Sequence, residues 1–318
     1  MPDLSYLQAV VIGGLQGVTE LFPVSSLGHS VLVPALIGGS WSHLVTEGAA
    51  EDSGHSPYLA FVVALHVATA LALLVFYWRD WVRIVGALVR TVRTRRIETS
   101  AERLAWLLVV ATIPVGITGL TLEHTFRVLF AKPLFAAVFL TINGAILLAG
   151  ERLRRRAELR AEPRTEARQD PAPSRTAGTA GTQTKRVASG ARRLDSLAFP
   201  EAAVIGLFQT AALLAGISRS GITMVAGLLR GLDHEDAAKF SFLLATPVIL
   251  AAGVLKLPTL AGPAGAGIRG QVLVGAVVAA GAAYLSVRFL TRYFTTRTLT
   301  PFAVYCLVAG AACVVRFA

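Results

Sequence analysis

The sequence predicts an all-α polytopic membrane protein that consists of two inverted repeats, and three observations lead to this prediction. Hydrophobic residues make up 54% of the 318 residues and charged residues 15%, with a mean hydropathy of +0.62, which is typical of integral membrane proteins. Several apolar segments are long enough to cross a bilayer. Two further segments combine ionisable residues with helix breakers at membrane depth, where both are costly unless they serve a site.

The apolar segments give the predicted spans and their orientation. We predict membrane-spanning helices at residues 58–78, 104–122, 134–150, 240–256, 271–290 and 300–317. The net charge of +11 comes from arginines between these segments, first in a loop from Arg79 to Arg103, and basic loops face the cytoplasm. Because this topology accounts for the charge without a soluble basic domain, we expect no nucleic-acid partner.

A polar, arginine-rich segment divides the chain into two halves. Residues 151–198 contain few large apolar residues, and we predict a disordered, basic cytoplasmic linker. The first repeat, residues 1–150, has a re-entrant helix pair at about 5–37 and three spans. The second, residues 199–318, has a re-entrant pair at about 199–232 and three spans. Since three spans reverse the side of the membrane, the second half is expected to be inverted relative to the first.

The two re-entrant segments can be aligned with each other without gaps. Helix-breaking or matching residues coincide at four aligned pairs: Gln16 with Gln209, Pro23 with Gly216, Ser25 with Ser218, and Gly28 with Gly221. Broken segments at corresponding places of inverted halves indicate a site near the midplane of the membrane. We therefore expect the tips of the two segments to meet there.

The second re-entrant segment contains the sequence SRSG around Arg219. A guanidinium group, neighbouring hydroxyls and a glycine that lets backbone amides approach a ligand are typical of phosphate binding at a helix start. The other interpretation is a structural ion pair between Arg219 and Glu20. The residues that we predict to contact phosphate groups beside Arg219 are Ser25, Gln209, Ser218, Ser220, Gly221 and Thr223.

The first re-entrant segment contributes Glu20, which follows Gln16 by four residues, so that both side chains share one helix face. The carboxylate can hold a divalent cation, with Gln16 as a second ligand, or act as a general base. One carboxylate suffices for Mg²⁺ when a diphosphate supplies further oxygens. Alternatively, Glu20 only balances the charge of Arg219.

Hydroxyls and an imidazole lie close together in the same segment. Ser26 and His29 are three residues apart, which suits a serine nucleophile activated by histidine. The alternative is that Ser25 and Ser26 cap a helix and that the ring of His29 is satisfied by other partners. His66, inside the first span, can line the cavity, but we favour the interpretation that it is a packing residue of the core.

Taken together, these motifs resemble those of the undecaprenyl-diphosphate phosphatases, bacterial membrane enzymes associated with bacitracin resistance. The resemblance extends over the chain apart from the linker, and it rests on the segments Gln16–Glu20, Pro23–His29, Gly216–Thr223 and Phe240–Pro247. It implies hydrolysis of undecaprenyl diphosphate to the monophosphate, which recycles the lipid carrier for peptidoglycan and other envelope polymers. It also implies a divalent cation, Mg²⁺ or Ca²⁺, as cofactor.

The resemblance also implies residue roles and a location. Glu20 corresponds to the essential acid, Ser26 to the proposed nucleophile, His29 to its acid/base partner and Arg219 to the phosphate-binding arginine. Gln16 stands where many members have Glu, which removes one potential metal ligand. The expected location is the bacterial cytoplasmic membrane, with the site open to the outer face. Membrane lipids are expected partners, and a homodimer is left open.

Two questions stay open at the level of the sequence. Either Ser26 attacks the phosphate, assisted by His29 or Glu20, or an activated water attacks it directly. The alternative function is a transporter or flippase for a polyprenyl phosphate, because inverted repeats with broken helices are typical of transporters.

Overall fold

The computed structural model describes residues 4–42, 57–130, 132–166, 192–256 and 267–318, and it is helical throughout apart from short 3-10 turns and one isolated bridge between Arg192 and Leu232. The α-helices run α1 Tyr6–Thr19, α2 Ser26–Ile37, α3 Pro57–Phe76, α4 Trp78–Thr94, α5 Ser100–Phe130, α6 Pro133–Glu166, α7 Phe199–Thr210, α8 Arg219–Leu229, α9 His234–Lys256, α10 Arg269–Tyr293 and α11 Thr300–Phe317.

The predicted all-helical class is confirmed, and the long apolar helices are compatible with a multi-pass membrane protein. In the part of the chain that the structure describes, five helices are long and apolar enough to cross a membrane: α5, α6, α9, α10 and α11. A sixth span is obtained if α3 and α4, which are bent by 87° against each other, are taken as one broken element. The predicted spans fall on α3, α5, α6, α9, α10 and α11.

The segment after the first span is not the loop that the arginine run predicts, because most of it forms helix α4. Its apolar residues recur with the spacing of a helix face, and they are exposed: Trp78, Val82, Val85, Val89 and Val92. Arginines at the positions between them make this helical period hard to recognise in the sequence. One apolar face and one charged face are typical of an amphipathic surface helix.

The predicted linker is also partly ordered. Helix α6 continues to Glu166, because the residues after Gly150 are mainly Arg, Leu, Ala and Glu, which are strong helix formers. Arg154 and Glu158 form an i,i+4 ion pair there (2.5 Å). At the other end, Arg192 binds Glu201 (2.8 Å). Residues 167–191 of the predicted linker lie outside the described residues, and the division into domains stays a prediction.

Two short helix hairpins carry the motifs. Helices α1 and α2, of 14 and 12 residues, are separated by a break at residues 20–25, and α7 and α8, of 12 and 11 residues, by a break at 211–218. At a rise of about 1.5 Å per residue, none of these helices can cross a hydrocarbon core of about 30 Å. Pro23 helps to end the first helix, since the residue before a proline disfavours the helical region.

Small residues bring each hairpin close to a long span of the other half of the chain. Helix α1 packs on α10 with Gly13 against the backbone of Gly275, and α7 packs on α5 with Gly206 against the backbone of Ala111. A side chain at Gly13 or Gly206 would overlap that backbone. This packing directs both hairpin breaks to the centre of the molecule.

Candidate active site

The tips of the two hairpins are in backbone contact. A Cβ atom at Gly28 would lie 2.9 Å from the Cα atom of Gly216. The hydroxyl of Ser25 accepts the N–H groups of both Gly28 and Gly216 (3.2 Å each). Ser25 has a φ of 72°, a conformation that costs free energy outside glycine and is often found at functional sites. The break in α1–α2 is therefore shaped around its contact with the second hairpin.

Asn143, a polar residue in the middle of α6, ties the two tips together. Its Nδ2 donates to the carbonyl of Pro23 (3.0 Å), and its Oδ1 accepts the N–H of Ser218 (3.0 Å). The side chain is fully buried, so both bonds are shielded from water. Sequence reasoning missed Asn143, although an amide inside an apolar span is itself a signal of a polar network.

Glu20 is the centre of a buried polar cluster. Its Oε1 accepts from Arg219 Nη2 (2.8 Å), and its Oε2 accepts from Ser26 Oγ (2.6 Å) and Gln16 Nε2 (3.0 Å). His66 Nε2 lies 3.3 Å from the same Oε2. The carboxylate is only 6% exposed, and the guanidinium of Arg219 compensates its charge from the opposite hairpin.

Ser26 and His29 do not contact each other through a hydrogen bond, which differs from the predicted pair. Ser26 donates to Glu20, whereas His29 Nδ1 lies 2.7 Å from the carbonyl of Ser25 and Nε2 lies 2.8 Å from the hydroxyl of Tyr305. Since a carbonyl only accepts, Nδ1 carries the proton and Nε2 can accept from Tyr305. The helical turn at the start of α2 directs the two side chains to different partners.

His66 belongs to the cluster and is not the packing residue that we expected. Its Nδ1 contacts the carbonyl of Val62 (2.8 Å) while Nε2 faces Glu20. A neutral imidazole has one N–H and here faces two acceptors, whereas the protonated ring can donate to both. A histidine inside an apolar span is itself a signal of a polar site, but only the packing of the long helices brings α3 to Glu20.

The hydroxyls around Arg219 have structural partners. Ser218 is the N-cap of α8 and accepts from the N–H of Gly221 (3.1 Å), a common capping bond. Ser220 Oγ donates to the carbonyl of Phe22 (3.2 Å), and Thr223 Oγ1 contacts Ser241 Oγ (2.6 Å). These groups therefore hold the start of α8 beside the first hairpin, with Arg219 as its first residue.

Gln209 is the predicted site residue that has no hydrogen bond to this cluster. It is fully buried on α7, and neither its Oε1 nor its Nε2 has a partner among the described residues. Its place in the second hairpin corresponds to that of Gln16 in the first. A role of Gln209 in phosphate binding stays a prediction.

The oxygen donors around Glu20 fit a divalent cation that also binds substrate. Gln16 Oε1 is buried without a partner beside the carboxylate, and carboxylate and amide oxygens are suitable ligands for Mg²⁺ and Ca²⁺. Among the residues that the structure describes, no three His, Cys, Asp or Glu residues form a metal-binding group. A cation here would therefore need phosphate oxygens to complete its coordination.

The sequence is similar to proteins of one family along almost its whole length. The sequence model of the bacitracin resistance protein BacA family matches residues 9–312. Undecaprenyl-diphosphatase 2 of Frankia alni is 69% identical over 100% of this chain and 99% of its own length. The undecaprenyl-diphosphatase of Mycolicibacterium paratuberculosis is 58% identical (99% and 98% covered), and that of Granulibacter bethesdensis is 42% identical (97% and 95% covered).

Proposed function

The chain belongs to the bacitracin resistance protein BacA family, and on this premise we propose that it hydrolyses undecaprenyl diphosphate to undecaprenyl phosphate and phosphate, which recycles the lipid carrier for cell-wall synthesis. The full-length identity to proteins named undecaprenyl-diphosphatase supports this hydrolase activity. The observation that carries it is the buried contact of Glu20 with both Ser26 and Arg219 at the meeting point of the hairpins.

Arg219 is the proposed ligand of the terminal phosphate. Its side chain is 13% exposed, and a guanidinium has five N–H donors in a planar fork that suits phosphate oxygens. One of these N–H groups donates to Glu20, and this bond holds the guanidinium in position between the two hairpins. When the phosphoryl group transfers, Arg219 stabilises the negative charge on its oxygens.

Ser26 is the proposed nucleophile and Glu20 its base. The hydrogen bond of 2.6 Å passes the Oγ proton of Ser26 to the carboxylate while Oγ attacks the terminal phosphorus. The bond from phosphorus to the bridging oxygen breaks, and undecaprenyl phosphate leaves. Water then hydrolyses the phosphoserine. In the second version of the mechanism, Glu20 deprotonates a water that attacks the phosphorus directly.

Trapping a phosphoenzyme separates these two versions. Rapid quenching with substrate labelled in the terminal phosphate should yield labelled protein, and Ser26→Ala should abolish both the label and turnover. A Ser26→Ala variant with near-normal turnover would exclude the covalent version. Ser196→Ala is the control, because the hydroxyl of Ser196 donates to the carbonyl of Arg193 (2.7 Å) and is not part of the cluster around Glu20.

His29 is the proposed acid/base residue, although its ring forms no hydrogen bond with Ser26. Its ring is held by the carbonyl of Ser25 and the hydroxyl of Tyr305, with which it also stacks at 5.8 Å. Because Nε2 can exchange a proton with Tyr305, the pair can deliver a proton to the leaving group or to the phosphoserine step. Tyr305→Phe tests this role, since it keeps the stacking and removes the hydroxyl.

Glu20 and Gln16 are the residues that would hold Mg²⁺ or Ca²⁺. When bound, the cation supplies charge neutralisation on the phosphate oxygens. The residues themselves keep the carboxylate oriented, because Gln16 Nε2 donates to Glu20 while Gln16 Oε1 stays available as a ligand. Removal of divalent cations by a chelator should abolish turnover, and Mg²⁺ or Ca²⁺ should restore it.

The two halves are proposed to be inverted relative to each other in the bacterial cytoplasmic membrane, with the site open to the outer face. The reciprocal packing supports this, since α1 lies on α10 of the second half and α7 lies on α5 of the first. Cysteine labelling with an impermeant reagent in intact cells tests it: Ser40→Cys should react and Ile97→Cys should not. The native Cys306 and Cys313 are buried.

Phosphate release by purified protein in detergent separates the enzyme from the transporter alternative, which releases none. Unmodified protein should release phosphate from undecaprenyl diphosphate, whereas Glu20→Gln and Arg219→Ala should not. Asp80→Asn should behave as the unmodified protein. It removes a carboxylate that pairs with Lys239 (3.0 Å), and Asp80 is distant in the sequence from both hairpins.

A further inference from the structure

A groove of about 460 Å³ runs along the last turns of α10 and the turn that follows it. Arg288, Arg292 and Arg297 line this groove, and all three are exposed. None of them forms an ion pair with a residue that the structure describes. Exposed cationic groups that lie together without an acidic partner create a positive potential that attracts anions.

Apolar side chains form the other part of the groove. Leu285 is 66% and Phe289 52% exposed, and Tyr293 follows them along the helix. These residues belong to a candidate membrane span, Arg269–Tyr293, whereas Arg297 lies just beyond it. The apolar residues recur at every fourth position along α10 with arginines beside them, so the groove has an apolar side and a cationic side that run next to each other.

The combination of apolar and cationic side chains in one groove indicates the class of ligand. The tendency of basic residues to lie on the cytoplasmic side explains how many arginines occur there, but it does not explain why three of them share one groove with exposed apolar residues. Inorganic phosphate would satisfy the guanidinium groups and leave Leu285 and Phe289 uncovered. A ligand with a phosphate and a hydrocarbon chain matches both parts.

We propose that this groove binds an anionic phospholipid, with its phosphate on Arg288, Arg292 and Arg297 and an acyl chain along Leu285 and Phe289. The site is separate from the candidate active site, and an aromatic contact connects the two. Phe289 stacks on Phe22 with ring centroids 5.9 Å apart and an angle of 6° between the planes.

Phe22 lies in the break between α1 and α2, two residues after Glu20. A lipid that packs on the outer side of Phe289 would restrict the movement of this ring and so support the loop that carries Glu20. Binding to the folded state alone also raises thermal stability. The groove thus predicts a stabilisation that depends on the headgroup charge of the lipid.

The test compares lipid retention in nanodiscs of phosphatidylcholine with and without phosphatidylglycerol. Native mass spectrometry should show phosphatidylglycerol retained by the unmodified protein, together with a higher midpoint of thermal unfolding. Each Arg→Gln change should weaken retention about fivefold, and the triple variant Arg288→Gln, Arg292→Gln, Arg297→Gln should lose both retention and the thermal shift.

The matched control removes the same charge from another exposed surface by Arg93→Gln, Arg95→Gln and Arg96→Gln. This variant should retain phosphatidylglycerol as the unmodified protein does. Equal loss in both triple variants would show diffuse attraction only and overturn the proposal. It would also be overturned if millimolar inorganic phosphate displaced the lipid, or if the unmodified protein retained none.

Discussion

Two buried clusters in this molecule contain the same kinds of residue, a glutamate, a histidine and an arginine. One is Glu20 with Arg219 and His66 at the hairpin tips. The other joins Glu151 of α6 to His234 at the start of α9, and His234 in turn contacts Arg154 (3.0 Å). Both carboxylates are almost fully buried, so burial and residue type do not distinguish them.

The partners of the two carboxylates are different. Glu151 accepts the backbone N–H of Leu299 (2.9 Å) at the start of α11 as well as the ring of His234. Arg154 donates to Nδ1 of His234, and Nε2 of the same ring donates to Glu151, so a neutral imidazole satisfies both contacts. The ring also stacks on Phe294. This cluster joins helix ends and contains no hydroxyl that donates to the carboxylate.

Glu20, in contrast, binds the hydroxyl of Ser26 and a guanidinium from the other hairpin. His66 faces two acceptors rather than a donor and an acceptor. Under the proposed function, the hydroxyl of Ser26 and an arginine that can also bind substrate distinguish Glu20 as the base, whereas Glu151, bound to His234 and to a backbone N–H, is expected to be structural.

The largest expected difference is between Glu20→Gln and Glu151→Gln. Glu20→Gln should lower kcat by about 10³-fold, because it removes the base that contacts Ser26. Glu151→Gln should leave kcat unchanged and lower the free energy of unfolding by about 1–3 kcal/mol, because it weakens buried hydrogen bonds. Phosphate release and thermal unfolding of the two purified variants provide the measurement. A loss of kcat in Glu151→Gln equal to that in Glu20→Gln would remove the distinction.

A smaller effect is expected when the tips lose their connection. Asn143→Leu removes the bonds to Pro23 and Ser218 without a large change in volume, and the resulting displacement of Arg219 from Glu20 should lower kcat/KM about 10²-fold. Thr141→Val, on the same helix, removes only a bond to its own helix and serves as the control. Asn143→Leu with normal kcat/KM would mean that helix packing alone aligns the tips.

The smallest expected effect concerns the two histidines. His66→Ala should lower kcat about tenfold, since a partner of the reactive carboxylate is lost, and His66→Gln should recover most of it because the amide can still donate to Glu20. His234→Ala should reduce thermal stability with kcat unchanged. The pattern would be contradicted if His66→Gln were as inactive as His66→Ala, or if His234→Ala lost activity in the folded state.

Several parts of the site could be predicted because their signals are local. Pro23 and Gly216 mark the two breaks, and Ser25 and Ser218 are the N-caps of the helices that follow them. The juxtaposition of Glu20 with Arg219 was expected from the alignment of the two segments. The pairing of Ser26 with His29 was wrong as a hydrogen bond, since spacing along a helix does not specify which side chain from elsewhere is closer.

The remaining errors have a similar cause. The arginines of α4 and of the end of α6 suggested a loop and a linker, although the same residues have the period or the propensity of helices. The distribution of arginines indicates which side of the membrane a segment faces. It does not determine whether the backbone of that segment is helical. The exposed valine face of α4 is the feature that would have corrected this interpretation.

The sequence by itself determined the helical class, the long apolar helices and the two breaks, because hydropathy and backbone preference act over a few neighbouring residues. Only the tertiary structure decided that Ser26 binds Glu20, that His66 joins them and that Asn143 connects Pro23 to Ser218. Most of these contacts join residues that are distant in the sequence. They depend on how the helices pack, and small residues such as Gly13 and Gly206 let the helices approach one another closely.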